Sequence, residues 1–159
     1  MKKYEFTGET KEIRLLFRTA TLHRIRATVA FGIVEVGDLG GWIEKEENLS
    51  HEGKAWVCGD AKVWGNAKVC GDAEVFSASH VLVIGAIGSR NDFTTFYRDK
   101  DNEITVKCGC FLGKIDRFLE KVTQTHGDSK YALVYRAAVE VAKLQIDLSG
   151  EAPKDADEE

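Results

Sequence analysis

The chain lacks any apolar run long enough to cross a bilayer, which takes about 20 predominantly apolar residues in succession. It lacks the apolar stretch of a secretory leader: Met1-Lys2-Lys3-Tyr4-Glu5 opens with charge and continues polar. It also lacks an excess of positive charge, since 22 Lys and Arg face 26 Asp and Glu for a formal net charge of -4. A nucleic-acid polymer normally leaves a basic footprint on its partner, so none is expected here, and no membrane either. Arg14, Arg18, Arg24 and Arg26 crowd near the N-terminus, which keeps a local basic site open. These absences predict a cytoplasmic protein, in which Cys58, Cys70, Cys108 and Cys110 are free thiols.

What is present is a repeat. Gly53-Lys54-Ala55-Trp56-Val57-Cys58, Gly59-Asp60-Ala61-Lys62-Val63-Trp64, Gly65-Asn66-Ala67-Lys68-Val69-Cys70 and Gly71-Asp72-Ala73-Glu74-Val75-Phe76 each read Gly, polar, Ala, any, Val, apolar. A valine at that spacing lines the inside of a coil with one flat strand per repeat, and coils stack by parallel pairing. Glycine with Asp or Asn supplies the turns, often at positive φ. Ile43 and Leu49 carry the phase backwards, and Val81 carries it forwards. The predicted fold is therefore mixed β with α. A short left-handed parallel β-helix of hexapeptide repeats spans 41–84, after N-terminal strands or a cap at 1–40. A small α+β module with a β-hairpin and two helices follows at 85–149, then a disordered acidic tail at 150–159.

Within that frame, Leu22 to Phe31 reads as a strand with Ile25, Ala27, Val29 and Phe31 on one face. Tyr4 to Phe17 reads as a hairpin turned at Gly8. Val81 to Ile87 reads as a buried strand. Phe93 to Arg98 and Ile104 to Gly109 read as strands joined through Asp99-Lys100-Asp101-Asn102. Helical spacing of Ile115, Phe118, Leu119 and Val122 predicts a helix over Gly113 to Thr125. A second helix over Ser129 to Asp147 carries a stripe of Leu133, Ala137, Val141, Leu144 and Leu148.

Leu22-His23-Arg24-Ile25, then Gly37-Asp38-Leu39-Gly40-Gly41-Trp42-Ile43-Glu44-Lys45-Glu46-Glu47-Asn48-Leu49-Ser50, lead into the Gly-x-Ala-x-Val repeats. This first half resembles a group of phage and bacterial hexapeptide-repeat proteins. Ile87-Gly88-Ser89-Arg90-Asn91-Asp92, Thr94-Thr95-Phe96-Tyr97-Arg98, Cys108-Gly109-Cys110-Phe111 and Thr125-His126-Gly127-Asp128 resemble a module of phage proteins. The resemblance implies a viral origin, and then the host cytoplasm as location. It implies no particular activity.

The residue after each valine is Cys58, Trp64, Cys70, Phe76 or Leu82, all apolar and pointing outward. They need cover, either from the C-terminal module folding back or from neighbouring subunits of a homo-oligomer, with a trimer favoured. The most site-like segment is the polar run from Gly88. Arg90 offers a fork for phosphate, Asn91 and Asp92 suit ribose or base, and Thr95 adds a supporting contact. Tyr97 offers a stacking face, and Arg98 is a second phosphate candidate, although strand alternation puts it on the face opposite Tyr97. The competing reading is a polar strand start in which Arg90 and Asp92 pair with each other or with water.

Cys108-Gly109-Cys110 places two thiols on one strand face, and His80 or His126 nearby makes a metal site conceivable. Structural zinc usually takes four ligands in recognisable pairs, so buried reduced thiols are the preferred reading, with no metal or cofactor. His126-Gly127-Asp128 reads better as a helix C-cap at Gly127 and an N-cap at Asp128 than as a catalytic pair, and Trp42 as the plug of the first coil. No catalytic residue is assigned. Three functions remain open: a non-enzymatic sponge for a small phosphorylated ligand, of the cyclic-nucleotide or ADP-ribose type used as an immune signal; a hexapeptide-repeat acyltransferase working through His51 or His80; and a structural module that blocks a host protein.

Overall fold

The structure, a computed structural model, describes residues 2–149. The acidic tail expected at 150–159 lies outside the described residues. In chain order the strands are β1 (Tyr4–Arg14), β2 (Thr19–Ala27), β3 (Leu39–Ile43), β4 (Trp56–Val57), β5 (Lys62–Val63), β6 (Glu74–Val75), β7 (Val81–Ile87), β8 (Asp92–Arg98), β9 (Ile104–Cys108) and β10 (Phe111–Lys114). Two helices follow, α1 (Ile115–His126) and α2 (Lys130–Gln145). The strands form three sheets, ordered β1-β2-β3-β5, β10-β9-β8-β7 and β4-β6.

The repeats do not build the expected left-handed β-helix. Pairing is mostly antiparallel: β1 with β2, β2 with β3, and every neighbour in the β7–β10 sheet. Among the described residues parallel pairing is confined to β3 with β5, β4 with β6 and the single bridge Leu49–Val69. Each of those ladders is at most two residues long and joins two passes of the chain. Both ends of the repeat cause this. The β1–β2 hairpin captures β3 antiparallel, and after Val75 the chain enters the antiparallel β7–β8 hairpin rather than another pass. The repeat still decides what is buried: Val57, Val63, Val69 and Val75, with Ala55, Ala61, Ala67 and Ala73, share one core with Ile43, Leu49 and Tyr97.

Smaller expectations also shift. Gly8 does not turn a hairpin; at φ 96° it sits in a register irregularity between Phe6 and Thr10 of one long β1. The reversal comes at Leu15–Arg18, where the Leu15 N–H donates to the Arg18 carbonyl at 2.8 Å. β2 starts earlier than expected and stops at Ala27, while Phe31 and Val34 exchange two backbone hydrogen bonds in the turn beyond it. The β8–β9 hairpin through Asp99–Asn102 forms as read.

Alternation along β8 divides the molecule. Tyr97 points into the valine core, and Phe96 points into a second core with Ile104, Val106, Phe118 and Val139 beneath the helices. The stripe read on α2 is misplaced: Leu133, Val141 and Leu144 are exposed, and the buried face is Ala132, Tyr135, Ala138, Val139 and Ala142. Small alanines permit close approach to the sheet, and a search for large apolar residues passes over them. Among the described residues no helix is long and apolar enough to cross a membrane.

Candidate functional site

A cleft of about 700 Å³ opens where three segments converge. Residues 46–53 form one wall, the pass from Lys68 to Gly71 forms the floor, and Lys107 with Leu112 closes the side. Asn48 ties wall to floor. It is fully buried, its Nδ2 donates to the carbonyls of Gly65 at 3.1 Å and Ala67 at 2.9 Å, and its Oδ1 accepts from the Lys45 N–H. The Tyr4 hydroxyl donates to the Leu49 carbonyl at 2.6 Å.

The charges in the cleft are of two kinds. Lys68 and Lys107 have no ion-pair partner among the described residues. Glu46 is engaged: its carboxylate takes Lys2 at 2.9 Å and lies 3.6 Å from His51 Nε2, and the Lys2 contact holds it below the usual carboxylate range. The His51 ring stacks on Tyr4 with centroids 4.0 Å apart, and its Nδ1 accepts the Lys3 N–H at 3.0 Å. The neutral ring therefore carries its proton on Nε2. Burial lowers the His51 pKa, with Glu46 acting in the opposite direction. Behind the wall, Lys3 is 3% exposed and donates to the Ala55 carbonyl at 2.7 Å. Burial brings its pKa down to about 8, against the raising influence of Cys70.

The six residues read as ligand contacts are not brought together. Arg90, Asn91 and Asp92 are exposed at the β7–β8 turn, where Asn91 has φ 48° and its N–H donates to the Gly88 carbonyl. Asp92 Oδ1 accepts the Phe93 N–H, and no Arg90–Asp92 ion pair occurs among the described residues. Thr95 and Tyr97 stand behind the floor of the cleft. Thr95 Oγ1 accepts the Lys68 N–H at 3.1 Å, and the fully buried Tyr97 hydroxyl lies 3.5 Å from Cys70 Sγ. Arg98 is buried at the far end of β8, donating to Asn102 Oδ1 at 2.8 Å and the Glu74 carbonyl at 3.2 Å. The length of β8 separates it from Asp92 by roughly 20 Å.

Cys108 ends β9 and Cys110 sits in the turn to β10, exposed, so the two thiols do not share a strand face. No cluster of three or more His, Cys, Asp or Glu among the described residues is arranged to hold a metal ion. Gly127 does cap α1, with φ 58° and its N–H on the Thr123 carbonyl, but the N-cap of α2 is Ser129 rather than Asp128. Trp42 lies outside the valine core, with Lys11 4.1 Å and Arg24 5.7 Å from its ring. His80 is buried with Nδ1 accepting the Phe76 N–H at 3.1 Å.

Sequence reasoning missed Lys68 and Lys107 as a pair. Lys68 occupies the variable position of its repeat, and Lys107 comes opposite Thr95 only through the β8–β9 register. No family model and no curated protein sequence matches the chain.

Proposed function

We propose that the protein binds a small phosphorylated ligand of nucleotide type in the 700 Å³ cleft and holds it without transforming it. The observation that carries this reading is the pair of lysines, Lys68 and Lys107, lining one cleft without ion-pair partners among the described residues. Two such ammonium groups suit a phosphate as point charges, and the volume is that of a small-molecule site, typically about 300–1,000 Å³. Glu47 and Glu52 on the opposite wall accept hydrogen bonds from ribose hydroxyls or an exocyclic amine. Binding without turnover is supported by the way the side chains are used. The basic nitrogen of His51 is occupied by the Lys3 N–H, and burial raises the pKa of the Tyr97 hydroxyl beside Cys70. In keeping with the viral origin that the resemblance implies, we propose a nucleotide immune signal as the ligand, held by a homo-oligomer with a trimer favoured.

The test is to purify the protein from cells making such nucleotides, denature it, and identify what is released by mass spectrometry. A stoichiometric unmodified nucleotide, lost in the Lys68→Ala/Lys107→Ala double variant, is the expected result. Each charged contact removed should weaken binding about ten-fold or more. A hydrolysed product would make the protein an enzyme. No release, together with no measurable affinity for added nucleotides, would end the reading.

A further inference from the structure

Lys62, Lys68 and Glu74 hold the same place in three consecutive repeats, and each lies on the outer edge of the second pass (residues 61–75), which pairs back onto a first pass at 42–57. An edge strand leaves alternate N–H and C=O groups unpaired, and folded proteins usually cover them. At two of the three positions β8 does so. Thr95 Oγ1 accepts the Lys68 N–H, and Arg98 donates to the Glu74 carbonyl. The neighbouring Asp72 carbonyl takes the Lys100 N–H, and Ala73 bridges Asp99.

The third position is different. β5 is the last strand of its sheet. The Ala61 and Val63 carbonyls turn inward to the N–H groups of Trp42 and Glu44, at 3.0 and 3.1 Å. Alternation then points the N–H and C=O of Lys62 outward, where no group among the described residues bonds to them. This edge opens on a second cleft, of about 300 Å³, with Val81, Val83 and Phe93 on its far side and Trp64 on its near side. Lys62 is the one charged residue in its lining and has no ion-pair partner among the described residues.

We propose that this edge is a docking site for an extended peptide segment of a partner protein, added as a strand beside β5. The occupant carries alternating apolar residues for the Trp64, Val83 and Phe93 walls and an acidic residue opposite Lys62. Main-chain pairing supplies affinity in such an addition, and the alternate side chains supply selectivity. The positive charge on an otherwise apolar and amide-lined cleft selects the acidic residue. This site is separate from the Lys68–Lys107 cleft, with none of its lining residues in common.

The experiment pans a displayed library of random nine-residue peptides against the full chain. The expected enrichment is alternating β-branched or aromatic residues with one Asp or Glu. A synthesised winner should slow amide exchange at Lys62 and shield Trp64 from a fluorescence quencher, since Trp42 and Trp56 are already buried. Lys62→Glu, a surface change that leaves folding intact, should weaken that peptide about ten-fold and, on repanning, switch the preference to Lys or Arg. Val83→Arg, checked for folding by circular dichroism, should abolish binding. No enrichment, or winners indifferent to both variants, overturns the proposal. So does self-association that Val83→Arg disperses, because the occupant is then a second copy of this chain.

Discussion

The Asp99 carboxylate is 2% exposed and fully used: Oδ1 accepts the N–H groups of Asp101 and Glu103, and Oδ2 accepts the Thr105 hydroxyl at 2.7 Å. Asp99→Ala strands those donors, and a buried unsatisfied donor costs about 1–3 kcal/mol. The expected loss is about 3 kcal/mol, read as a lower urea midpoint at unchanged slope, with Asp99→Asn losing less because one acceptor oxygen remains. His51 and His80 set a pH dependence. Burial holds both below the ordinary value of 6.5, with Arg98 adding to the effect at His80 and Asp147 opposing it. The unfolded chain therefore takes up protons first, and stability falls as pH drops below 6.5. The carboxylates held low, among them Glu44 at about 2, add their loss only below their ordinary value of 4.5. Urea midpoints measured between those limits should fall with pH in the native chain. In a His51→Asn/His80→Asn variant they should stay nearly flat. Lys3 acts at the other end: its pKa is lowered from 10.5 to about 8, so stability rises with pH between those values.

Among the elements, α2 separates periodicity from packing. Val139 is fully buried and Leu144 is 89% exposed, although Leu144 belongs to the stripe of large apolar residues. Val139→Ala should cost about 2 kcal/mol from lost burial and the cavity left behind. Leu144→Ser should stay within about 0.5 kcal/mol. Thermal melts of the two variants decide between the faces. β3 shows a different constraint. A Cβ on Gly41 would stand 2.5 Å from the Ala61 carbonyl oxygen and 2.8 Å from Val57. Only a residue without a side chain lets the first pass lie this close to the second. Gly41→Ala should therefore cost about 1–3 kcal/mol as overpacking.

At the scale of the whole molecule, β8 is shared by both cores, with Tyr97 in one and Phe96 in the other. Its side chains also cover the outer edge of the repeats at Lys68 and Glu74, and the turn that follows it covers Asp72 through the Lys100 N–H. The two halves should then unfold together. Trp42, Trp56 and Trp64 all report on the first half, and α1 and α2 dominate the helical signal of the second. Tryptophan fluorescence and far-ultraviolet circular dichroism should give coincident melting curves, the mark of one cooperative unit. Two separated transitions would show that the β8 contacts add little. The outward apolar residues fit this picture. Cys70 meets the Tyr97 hydroxyl, Phe76 lies beneath the Arg98 guanidinium, and Leu82 joins the core under the helices. Trp64 instead lines the smaller cleft.

The six-residue spacing of Val57, Val63, Val69 and Val75 by itself determined which side chains enter the first core, because a fixed period keeps turning the same residue inward. Local chemistry likewise determined the Asp99–Asn102 hairpin and the Gly127 cap, since each depends on residues adjacent in sequence; β7 forms over Val81–Ile87 as read, but half-buried to exposed rather than buried. Whether the passes stack into a solenoid depends on the partners of their edges. Those partners come from distant parts of the chain: β2 pairs antiparallel with β3 on one side, and the Thr95 and Arg98 side chains of β8 bond the repeat backbone on the other. The candidate sites follow the same division. The polar run from Arg90 to Arg98 looks continuous in sequence. Strand alternation sends its members to different faces, and the β8 hydrogen bonds use Thr95 and Arg98 to cap the repeats. Lys68 and Lys107 are 39 positions apart, and only the packing of the second sheet on the repeats makes both line one cleft.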